Sequence, residues 1–234
     1  MESELFRQQD AFFQSGATRP LAFRLQQLRS LLNAVQAHEQ DVLDALQADL
    51  HKSPTEAYST EIAPVTAEIR HTLRHLAAWM RPRRQPTPLL HFPAVSRIIP
   101  EPYGRTLIFA PWNYPFHLLF APLVGAVAAG NCVIYKPSSL SSLIGFDLPG
   151  IFKEAGLPDG VFNYCPGRGS VMGDYLVTHP KVTTIAFTGS MEVGLRILDK
   201  AATVQPGQVH CKRVVAEMGG KNAIIIDDDA DLDE

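Results

Sequence analysis

The sequence predicts an α/β fold: a Rossmann-like parallel sheet with helices on both faces, preceded by a helical segment. Three observations predict it. From about residue 104 onward, short apolar runs alternate with helix-length stretches, the order of successive βαβ units. The runs are apolar on both faces, as strands covered by helices on both sides must be. The first 80 or so residues instead repeat apolar side chains at three- and four-residue spacing, the mark of one helical face.

In the helical segment, one stripe runs through Leu21, Leu25, Leu28, Leu32 and Val35. A second runs through Tyr58, Ile62, Val65, Ile69, Leu73, Leu76 and Met80. Pro64 lies inside the second stripe and should bend or interrupt it. Residues 81–100 hold Arg81, Pro82, Arg83, Arg84, Pro86 and Pro88. That composition makes a poor helix and a poor central strand, so it reads as a connector. The expected strands are 106–110, 132–136, 161–165, 182–187, 213–217 and 223–227. Helices are expected near 115–129, 141–155, 168–178 and 190–202.

The 234 residues can bury a sizeable core. The formal charge of -3 is misleading, because six of the last eight residues are acidic. Without them the body is slightly basic, too weakly to recruit nucleic acid or an anionic membrane. Like charges crowded at 227–234 should leave that end mobile. Cys132, Cys165 and Cys211 have no metal-ligand spacing. Their odd count, and an N-terminus without an apolar leader, suggest a reduced, cytoplasmic protein. No apolar run is long enough to span a membrane.

Ligands of such sheets bind at the carboxyl ends of the strands. After the first run comes Ala110-Pro111-Trp112-Asn113-Tyr114-Pro115. Flanking prolines can fix the Asn113 amide as a donor to a developing oxyanion; alternatively Asn113 caps the next helix. Lys136, ending the second run before Pro137, Ser138 and Ser139, can bond ribose or phosphate, or lie on the surface. Gly167 and Gly169 follow the third run. Phe187, Thr188, Gly189 and Ser190 close the fourth, with Gly194 close behind. Glycines and a helix N-terminus suit a phosphate, although no GxGxxG is present. Glu217 ends the fifth run beside Met218, Gly219 and Gly220. It is a candidate general base, or a surface carboxylate before a turn.

Together, in this order, the motifs are specific. Pro111-Trp112-Asn113, Lys136-Pro137-Ser138, Phe187-Thr188-Gly189-Ser190 and Glu217-Met218-Gly219-Gly220-Lys221 resemble the aldehyde dehydrogenase superfamily. Pro158 in Gly156-Leu157-Pro158 and the pair His179-Pro180 match as well. The resemblance covers essentially the whole chain.

The resemblance implies NAD- or NADP-dependent oxidation of an aldehyde to an acid. It casts Asn113 as oxyanion donor and Glu217 as the base for the hydrolytic water. Lys136 becomes the ribose contact, Ser190 the pyrophosphate contact and Val193 a neighbour of the adenine. Trp112 and Gly219 line the nicotinamide side. Ala110, Pro111, Ser138, Ser139, Gly167, Gly169, Phe187, Thr188, Gly189, Gly194 and Met218 complete the expected cofactor site. Ser139 stands where the family often has a Glu that holds ribose hydroxyls. Without that carboxylate, NADP should be tolerated as well as NAD.

The resemblance also divides the chain. Residues 1–94 become the helical part of the cofactor domain plus a linker, and 95–103 an oligomerisation-arm strand. Residues 104–217 form the Rossmann-like domain, and 218–234 begin a catalytic domain. The family's nucleophilic cysteine falls downstream of the Glu217 motif, so the chain alone is expected to be inactive. A non-catalytic dinucleotide-binding module, or a subunit needing a separate catalytic half, is the alternative. A homo-oligomer is expected of a complete chain. Residues up to about 140 resemble the class 3 branch, and those from about 150 the glutamate-semialdehyde (pyrroline-5-carboxylate) dehydrogenases. The substrate is left open by that seam near Ser138–Pro149.

Overall fold

The computed structural model describes residues 4–228 except 155, 159 and 166, with backbone alone for 142–147 and 170. Five helices precede the sheet: α1 (Glu4–Gln14), α2 (Leu21–Ala37), α3 (Glu39–Leu50), α4 (Pro54–Ala57) and α5 (Ala63–Trp79). A π-helical turn, Tyr58–Ile62, joins α4 to α5. Pro64 sits just past that widened turn in continuous helical backbone, so the helix passes through it rather than ending there. The second stripe packs much as its spacing predicts, with Ile62, Val65, Ile69 and Leu76 buried and only Tyr58 exposed. The first stripe is rotated. Leu28, Leu31, Ala34 and Val35 are buried, while Leu21, Leu25 and Leu32 pack only partly.

The connector holds a short antiparallel hairpin, β1 (Arg83–Gln85) with β2 (Ser96–Ile98). The rest alternates strictly: β3 (Arg105–Phe109), α6 (His117–Ala128), β4 (Cys132–Lys136), α7 (Ser142–Glu154), β5 (Phe162–Tyr164), α8 (Gly169–Thr178), β6 (Thr184–Thr188), α9 (Met191–Ala202) and β7 (Arg213–Glu217). The sheet order is β5-β4-β3-β6-β7 and every pairing is parallel. The chain winds outward from β3 to one edge, then returns past β3 to build the other half.

Alternate residues of the central strands feed two cores. Ile108, Val133, Tyr135 and Phe162 join the core shared with the helices from α2 to α7. Leu107, Ile134 and Ile185 join the opposite core, with Phe6 of α1, Leu176 of α8 and Ile197 of α9. That two-sided burial is the reason these strands read as continuous apolar runs. Helix α1 is tied across the sheet by Gln9, whose Nε2 donates to the Val133 carbonyl (2.9 Å), and by Asp10, which pairs with Arg105 and Lys181.

One expected strand is absent. Residues 223–227 form no ladder, and Ile224, Ile225 and Ile226 are 87%, 93% and 63% exposed. An apolar run becomes a strand only where a neighbour accepts its backbone bonds, and among the described residues β7 is the edge. The expected mobility of 227–234 falls largely on residues 229–234, which lie outside the described residues. No helix among the described residues is long and apolar enough to cross a membrane.

Candidate functional site

The winding reverses at β3 and β6, and loops leaving their carboxyl ends diverge to opposite faces. Such a switch point opens a crevice. Here it is a cleft of about 650 Å³. Its walls are the segments after four strands: Phe109–Asn113, Lys136–Ser139, Phe187–Ser190 and Glu217–Gly220, with Gly169 and Val193 added by α8 and α9.

A narrower cleft of about 280 Å³ continues between α8 and α9. It shares Phe109, Lys136, Gly169 and Val193 with the first and adds Gly173, Asp174, Val177, Arg196 and Ile197. Asp174 is ion-paired with Arg196 (2.5 Å) and Lys200 (3.2 Å), and the hydrogen bond from Arg196 holds its carboxyl below the usual range.

Ala110, Pro111, Trp112, Asn113, Lys136, Ser138, Ser139, Gly169, Phe187, Thr188, Gly189, Ser190, Val193, Glu217, Met218 and Gly219 all line the main cleft. Gly167 and Gly194 do not. Gly167 holds a positive φ of 119° in the turn before α8. At Gly194 an added Cβ would stand 2.4 Å from Met218 Sδ. Its bareness lets Met218 pack under α9, so it supports the wall from behind. Gly189 is required for a similar reason: a Cβ there would meet the Phe187 ring at 2.7 Å. Phe109, Pro137 and Gly220 complete the lining. Phe109 and Pro137 adjoin predicted residues, but their own side chains carry no polar signal.

Asn113 does not cap α6. That helix starts four residues later, and its first N–H groups, from Phe116 and His117, donate to Glu61 Oε2 (3.0 and 2.9 Å). The Asn113 Oδ1 instead accepts from the Tyr114 N–H (3.1 Å). Anchoring the amide by its oxygen leaves Nδ2 as the end with hydrogens to give.

Lys136 is buried, and its Nζ donates to the Pro137 carbonyl (3.1 Å). Burial holds its ammonium below the usual lysine range. Ser190 caps α9, its hydroxyl accepting from the Val193 N–H (3.4 Å). The first turn of that helix therefore meets the cleft with its positive end. Glu217 ends β7 with an exposed side chain, while its carbonyl accepts from the Gly189 N–H (3.1 Å) and ties the two loops together.

None of the cysteines lines this cleft. Cys132 is buried at the amino end of β4, where burial pushes its thiol up to about 12. Cys165 is buried just beyond β5, its thiol also raised by burial, and Cys211 is exposed two residues before β7. Among the described residues no group of three or more His, Cys, Asp or Glu side chains is placed to hold a metal ion.

The likeness to known proteins is broad. The chain is 48% identical over 138 residues to a 1-pyrroline-5-carboxylate dehydrogenase of Geobacillus thermodenitrificans, covering 59% of this chain and 27% of that protein. It is 42% identical over 169 residues to the enzyme of that name from Anoxybacillus flavithermus, covering 72% and 33%. The chain thus spans about a quarter to a third of these curated relatives. Among solved structures, Staphylococcus aureus AldH in a substrate-bound state superposes with a TM-score of 0.85 at 37% identity, over 93% of this chain and 46% of that one. Thermus 1-pyrroline-5-carboxylate dehydrogenase with bound NAD gives 0.74 at 33%, over 85% and 38%. The sequence profile described as the aldehyde dehydrogenase family matches residues 4–234. The chain belongs to the aldehyde dehydrogenase family.

Proposed function

We infer that this chain supplies the dinucleotide site, the oxyanion donor and the general base of an NAD(P)-dependent dehydrogenase that oxidises an aldehyde to a carboxylic acid. One observation carries the reading. A single cleft at the switch point gathers Asn113, Lys136, Ser190 and Glu217 from four different strand ends.

The residues present suit a dinucleotide. The N-terminus of α9 offers N–H groups to a pyrophosphate beside Ser190. Lys136, shared by both clefts, stands where a ribose or phosphate would lie between them. The gap between α8 and α9, walled by Val177, Val193 and Ile197, has the apolar lining a purine needs. When bound, the nicotinamide supplies the hydride acceptor.

Asn113 Nδ2 would donate to the oxygen of the tetrahedral adduct formed when a thiolate attacks the aldehyde carbonyl. Glu217 would take a proton from the water that hydrolyses the resulting thioester. The thiolate would come from outside these 234 residues, because no cysteine here lines the cleft. The names of the relatives favour pyrroline-5-carboxylate, whose open form is an aldehyde, as substrate. The unpaired cysteines suit the reducing cytoplasm.

The same observation about cysteines supports a second reading, a binding module or a subunit that works with a separate catalytic half. Calorimetric titration of the 234-residue chain with NAD and with NADP tests both readings. Micromolar binding is expected, with no absorbance of reduced cofactor on adding aldehyde. Absence of saturable binding up to about millimolar cofactor sinks both readings, and turnover by this chain overturns the external nucleophile.

A further inference from the structure

Beneath the Asn113 loop lies a buried ion pair that the proposed chemistry does not use. Glu61 is fully buried and Lys52 nearly so. Lys52 Nζ donates to Glu61 Oε1 (2.6 Å) and to the Asn113 carbonyl (2.7 Å). The same ammonium lies 3.9 Å from the centre of the Tyr114 ring. Glu61 Oε2 takes the Phe116 and His117 N–H groups. Two charges therefore grip the 113–117 segment at both ends.

The backbone around the pair is shaped unusually. Glu61 lies in the π-helical turn, a widened helical turn of the kind that clusters at functional sites. Lys52 follows His51, the one non-glycine residue with positive φ (55°) among the described residues. Burying two charges is a poor way to gain stability compared with apolar packing. Such a pair serves better to fix one geometry.

We propose that Lys52 and Glu61 are positioning residues that set the Asn113 amide toward the cleft. Its purpose rests on Asn113 being the oxyanion donor. Lys52 fixes the Asn113 carbonyl, and Glu61 fixes the start of α6. The Asn113 Oδ1–Tyr114 N–H bond then ties the side chain to that held backbone. The energetic logic is preorganisation: a donor held before reaction needs no ordering when charge develops.

The test is an amide NMR spectrum of the 234-residue chain, with the Asn113 side-chain NH2 pair assigned by its loss in Asn113→Ala. Two variants are compared: Lys52→Met, and Lys52→Met with Glu61→Gln, which leaves no unpaired buried charge. The Gln9 side-chain amide, buried and bonded to the Val133 carbonyl, is the internal control for an intact fold. The expected result is loss of the resolved Asn113 pair to the solvent-averaged position in at least the double variant, with Gln9 unmoved. If Asn113 stays in place, the proposal is overturned. If Gln9 is lost in both variants, the pair holds the whole fold and the proposal is equally overturned. An Asn113 shift in a chain that binds no dinucleotide would leave the positioning device standing and sink only the functional reading.

Discussion

At the level of single residues, Asn113 had two readings open in the sequence, helix cap or oxyanion donor. The carboxylate of Glu61 decides against the cap by occupying the start of α6 itself. Glu61 was not legible as part of the site, because it lies more than 50 residues upstream inside an apolar stripe. Its one signal was a charge beside Ile62 on a face destined for burial. The cleft-lining polar residues were legible because each sits just past an apolar run, and parallel strands deliver their ends to one edge. Gly167 and Gly194 fall outside the cleft lining, because a glycine signals close approach without saying by what. Ser139 carries a prediction of its own. It lines the cleft and is exposed, so a carboxylate there would face the 2′-phosphate of NADP. At about 4 Å such repulsion costs roughly 1–4 kcal/mol. Ser139→Glu should weaken NADP binding at least about tenfold while leaving NAD within about threefold. Equal losses for both cofactors, measured by calorimetry, would place residue 139 away from the ribose.

Between elements, the helices and strands of the sheet were readable from period and alternation, and the missing strand at 223–227 was not, since pairing is decided by neighbours that sequence does not locate. The contact between α3 and α7 is likewise invisible in sequence. His38 Nδ1 lies 2.7 Å from Asp41 and its Nε2 3.1 Å from Glu154, with Asp44 lining the same shallow cleft. The hydrogen bond to Asp41, aided by Glu154, raises the imidazole above its ordinary value against a smaller opposing effect of burial. A raised folded value means stability is fully present below the unfolded value of about 6.5 and is lost as pH rises through the folded value. The carboxylates are largely exposed, so the clamp is worth on the order of 1 kcal/mol. His38→Gln should therefore lower Tm by about 2–4 °C near pH 5.5 and much less near pH 8.5. A difference that does not change with pH would show that the clamp is not ionic.

For the whole molecule, apolar surface left uncovered decides what the chain does with other chains. The hairpin of β1 and β2 exposes Leu89, Leu90, Phe92 and Ile99 at 87%, 90%, 79% and 60%. These residues have almost no packing within the chain, although the backbone around them is ordered into a 3-10 turn and two paired strands. Ordered backbone carrying unpacked large side chains is a surface built for a partner. We propose a second copy of the chain as that partner, in keeping with the homo-oligomer expected of a complete chain. Full burial of each such side chain contributes about 1.5–3 kcal/mol. Replacing Leu89, Leu90 and Phe92 together by Ser should then weaken self-association by roughly 100-fold or more, since each 1.4 kcal/mol is a factor of ten. Sedimentation velocity across a concentration series measures it directly. Dinucleotide binding should be unaffected, because the hairpin contributes no residue to the cleft. If the triple variant sediments as the parent does, assembly must run through other exposed apolar residues, of which Met191 and Leu195 on α9 and Val215 on β7 are the next to replace.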